Sequence, residues 1–263
     1  MGQVAAKKTI CSVRNMIDVG RKRANIGVMG MKPVHFTMSA EPGLGRNEIC
    51  KVLAQLLVNI GCLGTGHVLR ISRSELVSVA MGASSVSKRV EELWKAASGG
   101  ILLITDAHNF GPSEKRSSRE DEAGNEVLSS LCKLMDQDAA GGPDKSPSQT
   151  VSVVLCSERG TALQTLIREK PGLEKHFGGD QYRLALEDFT PEDMASILRK
   201  LVEEQQFSLS IPDARLVAMV KRSASTSPMK HTRFLKSFLE TAIARQATRV
   251  YEKGTVSRQG LCT

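Results

Sequence analysis

Ala40-Glu41-Pro42-Gly43-Leu44-Gly45-Arg46-Asn47-Glu48 is spaced like the phosphate-binding loop G-x-x-x-x-G-K-[ST] but lacks the side chains that loop uses for chemistry. In that loop, glycines let backbone N–H groups converge on phosphate oxygens, the lysine reaches the β- and γ-phosphates, and the hydroxyl ligates magnesium. Here the first glycine is Ala40, the lysine is Arg46 and the hydroxyl residue is Asn47. Gly43 and Gly45 remain, and main-chain amides opening a helix attract phosphate whatever the side chains are. The candidate nucleotide ligands are therefore Pro42, Gly43, Leu44, Gly45, Arg46, Asn47 and Glu48. The plainer alternative is a tight strand-to-helix turn that holds nothing. An amide oxygen at Asn47 is a poor magnesium ligand, so no metal site is expected.

Working outward, Val34 to Ser39 reads as a short buried strand that feeds the loop. Ile49, Val52, Leu53, Leu56 and Leu57 then fall at helical spacing, predicting a helix over Asn47 to Ile60. The alternation continues with strands at His67–Ser72, Ile101–Ile104 and Thr150–Leu155 and helices at Ser87–Ala97 and Asn125–Met135. Apolar strands alternating with helices predict an α/β fold with a parallel sheet flanked by helices. Two stretches, Gly111–Gly124 and Ala139–Ser148, are rich in charge, serine, glycine and proline and read as mobile surface loops. From Asp188 helices take over. Thr190 is placed to cap the first, with Pro191 at its opening position and acids facing the dipole; Arg215–Lys221 and Arg233–Glu252 follow. The expected division is a core over residues 1–187 and a small helical lid over 188–263.

With 263 residues, 41% hydrophobic and 24% charged, the chain has the composition of a globular protein. No apolar run reaches the ~18 residues of a membrane span. The six cysteines are scattered without a C-x-x-C pair, which points away from zinc and disulfide frameworks and toward a reducing, intracellular compartment. Thr9, Ile10, Val13, Met16 and Ile17 predict a first helix inside a basic N-terminal stretch, whose other reading is an address to a mitochondrion or plastid. A net charge of +8 favours acidic partners, nucleic acid among them. With one Trp and two Tyr, however, the aromatic platforms of single-strand binding are missing.

The ordered set of segments resembles the AAA+ ATPases of the red-type Rubisco activase and stage V sporulation K group, from about Lys8 to Tyr251. His35-Phe36-Thr37 before Glu41–Gly45 is similar to the family's strand and Walker A loop. Leu63–His67 and Ser72–Val77 resemble its second strand and the turn after it, and Gly99–Ile104 its Walker B strand. Lys170–Leu173 resembles the segment before the arginine finger, and Arg233-Phe234 with Ala244–Ala247 the lid helix. The resemblance implies a P-loop AAA+ core with a C-terminal helical lid, and it puts Arg233 where a sensor-2 arginine meets the γ-phosphate.

The departures fall on chemistry. Where the family has Asp-Glu-Ala-Tyr, this chain has Thr105-Asp106-Ala107-His108. Asp106 is the one catalytic candidate, with a carboxylate set back about 1.5 Å from that of a glutamate. Its plainer role is to cap or hydrogen-bond at the strand end. At the arginine-finger segment stand Glu174-Lys175-His176-Phe177, where the missing fork is worth on the order of 10³ to 10⁵ in rate. Lys175 is a partial substitute, and nothing in the sequence puts a partner beside His108 or His176. At the aromatic of the family's pore loop stands Ala80. These losses together imply a degenerate, non-catalytic AAA+ subunit that holds ATP or ADP without hydrolysis and without magnesium. Its expected partners are AAA+ subunits of the same or a related chain, or a large protein or ribonucleoprotein assembly. The alternatives are an active ATP-dependent protein remodeller using Arg46 and Asp106, and a nucleotide-gated binding module.

Overall fold

The computed structural model describes residues 2–24, 33–81, 86–111, 118–141, 146–226 and 231–252. Short apolar runs form the strands β1 (Phe36–Ser39), β2 (Val68–Ser72), β3 (Ile101–Thr105), β4 (Ser152–Ser157) and β5 (Arg183–Ala185). They pair in parallel in the order β2-β3-β4-β1-β5. Every residue of β3 and β4 is buried, which is why both read as nearly continuous apolar runs: helices cover a parallel sheet on both faces. The expected α/β fold is the observed one.

The helices of this unit are α1 (Val4–Ala24), α2 (Arg46–Asn59), α3 (Arg73–Met81), α4 (Val86–Ala96), α5 (Ser118–Ala140), α6 (Gly160–Glu169) and α7 (Pro171–Phe177). In α1, Ala6, Ile10, Val13 and Ile17 form a buried stripe, spaced three to four residues apart as one helical face requires. Cys50, Leu53, Ala54 and Leu57 do the same in α2.

The structure corrects the sequence reading of Gly111–Gly124 as a surface loop. Its second half, 118–124, is the opening of α5; Glu120 and Asp121 lie in the first turn, where carboxylates favour the positive end of the dipole. Ala123, Val127, Leu128, Leu131 and Met135 then bury one face. The first half, 112–117, lies outside the described residues, as do 142–145 of the other expected loop; Ala139 and Ala140 close α5. A helix, α3, also stands where only a turn was expected after β2.

The chain divides into two compact units. The second joins the segment from Glu187 onward with Met1–Gln3 and Pro42–Gly45. It contains α8 (Pro191–Glu204), α9 (Asp213–Thr226) and α10 (His231–Glu252), which share a core that includes Leu198, Val202, Leu216, Val220, Phe234 and Leu235. Thr190 caps α8, its hydroxyl oxygen accepting from the Asp193 N–H at 3.1 Å, with Pro191 opening the helix. Asp213 stands in the first turn of α9, which begins two residues before the expected Arg215.

Candidate nucleotide site

Parallel sheets bind ligands beyond the carboxyl ends of their strands. The register pairs Ser39 with Ser157 and Ser72 with Thr105, so four hydroxyl residues mark that edge. Past it, the Ala40 N–H donates to the Ser157 carbonyl at 2.9 Å, and the chain enters the glycine loop. Gly43 has φ of 95° and Gly45 of 82°, a region costly to any residue with a Cβ. A Cβ at Gly45 would meet nothing within 4 Å, so backbone conformation, not crowding, is what calls for glycine there. Arg46 then opens α2. Strand, glycine turn and helix N-terminus together place backbone amides where an anion is stabilised.

The side chains around the loop differ from one another in state. The Arg46 guanidinium folds back and donates from Nη2 to the Ala40 carbonyl, while its buried Nε has no hydrogen-bond partner. Arg46 thus braces the loop and keeps one donor unspent. Leu44 is buried, Pro42 is half-buried, and Asn47 and Glu48 are exposed; Glu48 pairs with Lys51 at 2.9 Å. Within the helical unit, Thr232 donates from its backbone N–H (3.2 Å) and its hydroxyl (2.6 Å) to the Gly43 carbonyl. The next residue, Arg233, is exposed. The opening turn of α10 and the glycine loop are therefore tied at Gly43.

At the end of β3, Thr105 is 2% exposed, and its hydroxyl has no hydrogen-bond partner among the described residues. Asp106 follows with φ of 58° and ψ of 30°, a left-handed conformation that Asp tolerates better than most residues but still at a cost. Its side chain does not cap the 3₁₀ turn Ala107–Phe110, so capping, one of the two plainer roles expected of it, is not the one it plays. Burial pushes the Cys156 thiol up to about 11; Arg46 pulls it down and Asp106 pushes it up. Arg46 and Asp106 follow the carboxyl ends of the parallel strands β1 and β3, and so lie at the same end of the sheet. Cys50 is likewise driven to about 12 by burial and by Cys156, so both thiols stay protonated and pack as small apolar groups.

Sequence reasoning missed Ser157, which is fully buried. Its hydroxyl meets His108 Nδ1 at 2.9 Å, donates to the Arg159 carbonyl at 2.9 Å and accepts from the Arg159 N–H at 2.8 Å. A polar residue closing a strand whose centre, residues 153–156, is apolar was the available signal. His108 therefore has a partner, and so does His176, partners that nothing in the sequence indicated. His176 Nε2 lies 3.0 Å from Asp136 Oδ1, and its ring lies edge-on to His35 at 5.5 Å. Its side chain is only 7% exposed, so it packs inward. Lys175 Nζ lies 2.6 Å from the same Asp136 oxygen, and this hydrogen bond leads the causes that hold Asp136 below the usual carboxylate range. At the expected pore loop, Gly82 lies outside the described residues, as do the side chains of Val79, Ala80 and Met81.

Among the described residues, no three His, Cys, Asp or Glu side chains gather as a metal cage, and no helix is long and apolar enough to cross a membrane. A nucleotide-borne magnesium ion keeps several waters and needs only one or two protein oxygens. Thr105 and Asp106 supply oxygens of that kind at the end of β3.

Residues 36–177 match the ATPase family associated with various cellular activities (AAA). Over longer spans the chain is 23% identical to the protein CfxQ homolog of Trieres chinensis, covering 96% of this chain and 81% of that one. It is 22% identical to the chloroplastic ribulose bisphosphate carboxylase/oxygenase activase of Cyanidioschyzon merolae (95% and 80% covered). It is also 23% identical to stage V sporulation protein K of Bacillus subtilis (95% and 73%).

Proposed function

This chain belongs to the AAA family of ATPases, and from that membership we propose that it binds ATP at Gly43–Asn47 and uses it to remodel a protein assembly. The observation that carries the proposal is Asp106. A left-handed, half-buried aspartate that does not cap the turn it precedes is backbone strain without local structural return, and such strain collects at functional sites. In this reading the loop amides and the helix N-terminus hold the phosphates, and Arg46 adds positive charge through its spare Nε. Asp106 orients a water and accepts its proton, the general-base role of a carboxylate. Arg233, at the opening of α10, is the residue that the family resemblance offers to the terminal phosphate. Magnesium arriving with the nucleotide would be held by Thr105 and Asp106 and would neutralise phosphate charge. AAA subunits of the same or a related chain are the partners that membership supports. The chloroplastic relative supports a plastid as the compartment.

A second reading, nucleotide binding without hydrolysis in a non-catalytic subunit, is favoured by Thr105. That residue puts a neutral, unpartnered hydroxyl where the family resemblance implies a carboxylate. Both readings require nucleotide binding, which a thermal-shift titration with ATP and ADP tests. A ligand at 100 times its Kd adds about 2.7 kcal/mol of stability; no shift with either nucleotide rejects both.

A further inference from the structure

A cavity of about 430 Å³ opens on the sheet unit between α6 and the strands β1 and β5. Thr37 pairs with Arg183 and Ser39 with Ala185, and alternation along a strand turns these four to one face. Phe36 and Met38, at 0% exposure, take the other. A strand face beneath a covering helix normally carries Val, Ile or Leu; this one carries two hydroxyls and a guanidinium. From α6 come Thr161, Gln164, Thr165 and Arg168.

Two polar groups lining the cavity are buried without a partner. Arg183 Nε, a donor that an anion satisfies, is buried and unpaired, as is Gln164 Oε1, an acceptor whose amide turns its NH2 to an anion on exchange of its two ends. Thr37, 4% exposed, lines the cavity beside them. Buried polar groups without partners are costly unless something else satisfies them. Among the described residues, two guanidiniums and no carboxylate line the cavity; Asp180, 83% exposed, holds Arg183 Nη2 from outside it at 2.9 Å. The first turn of α6 enters the same wall. A Cβ at Gly160 would lie 2.5 Å from Ser39 Oγ, so the glycine permits a close approach of helix to strand.

From these observations we infer that the cavity binds a small oxyanion, a phosphate or a carboxylate, at a site separate from the glycine loop. Arg183 and Arg168 supply forked, charge-assisted donors, Thr37 and Thr161 supply hydroxyls, and the volume suits a ligand of metabolite size.

Isothermal titration of the full chain with inorganic phosphate, and separately with malonate, tests the inference and tells the two chemistries apart. Wild type binds at least one of the two anions. The R168Q/R183Q double variant binds it at least about tenfold more weakly, the loss of a charge-assisted pair. No binding of either anion to wild type overturns the site. So does undiminished binding by the double variant, which would put the anion elsewhere, the glycine loop included. Should circular dichroism find the double variant unfolded, Thr37→Val, which keeps the side-chain shape, and Gln164→Leu take its place. Weaker binding by these supports the site, and unchanged binding by both overturns it.

Discussion

At the scale of single residues, His35 shows how burial sets a charge. It is 3% exposed and accepts the Val153 N–H at 3.1 Å through Nδ1. Burial first, and His176 second, lowers its pKa from 6.5 to about 3. The unfolded chain therefore takes up a proton below pH 6.5 that the folded chain refuses until about pH 3. Stability is fully present above 6.5 and falls between those values by up to about 1.4 kcal/mol per pH unit. His35→Asn retains an acceptor for Val153 and removes the titration. Urea unfolding from pH 4 to 7 is expected to give the variant a shallower slope than wild type, and equal slopes would refute this account of His35. Arg46 is the second residue-scale case. Its tie to Ala40 was not legible in the sequence, because nothing local distinguishes a guanidinium aimed at phosphate from one folded back on its own loop. Under the proposed function, Arg46→Ala weakens ATP binding by about tenfold or more, the worth of a charged hydrogen bond, and Arg46→Lys does not tighten it. Tighter binding by the lysine variant, measured by titration calorimetry, would favour the non-catalytic reading.

At the scale of elements, legibility followed burial. β3 and β4 and the helix after the glycine loop stood out because their apolar patterns are long enough to declare a period. β5 was missed: three residues, Arg183-Leu184-Ala185, carry one buried side chain and too little pattern to separate from a loop. The opening of α5 was misread because its first turns are charged, and only the buried stripe from Ala123 onward reveals that the helix had already begun. α8 is the converse, with the cap at Thr190 and the proline after it legible in the sequence. Thr190→Ala removes the bond to the Asp193 N–H and is expected to cost about 1 kcal/mol. Chemical denaturation of the variant measures that loss, and an unchanged midpoint would show that the cap adds nothing.

At the scale of the whole molecule, the sheet and glycine loop of an AAA protein persist while several chemical positions differ. The fold was legible because it rests on many weak, ordered signals. The site was legible only in part: the glycine loop and Asp106 could be read as positions, but not the conformation of Asp106, the burial of His176 against His35, or the role of Ser157. Long-range pairings such as Ser157 with His108 carry no local pattern. The central claim is that Asp106 makes this chain an ATPase. Phosphate release from ATP by the purified chain, alongside Asp106→Asn, tests it most directly. The account predicts measurable turnover that falls by about 10² to 10⁴ in the variant, the range for loss of a general base. No release above background from the wild-type chain, or equal release from the two proteins, would contradict it.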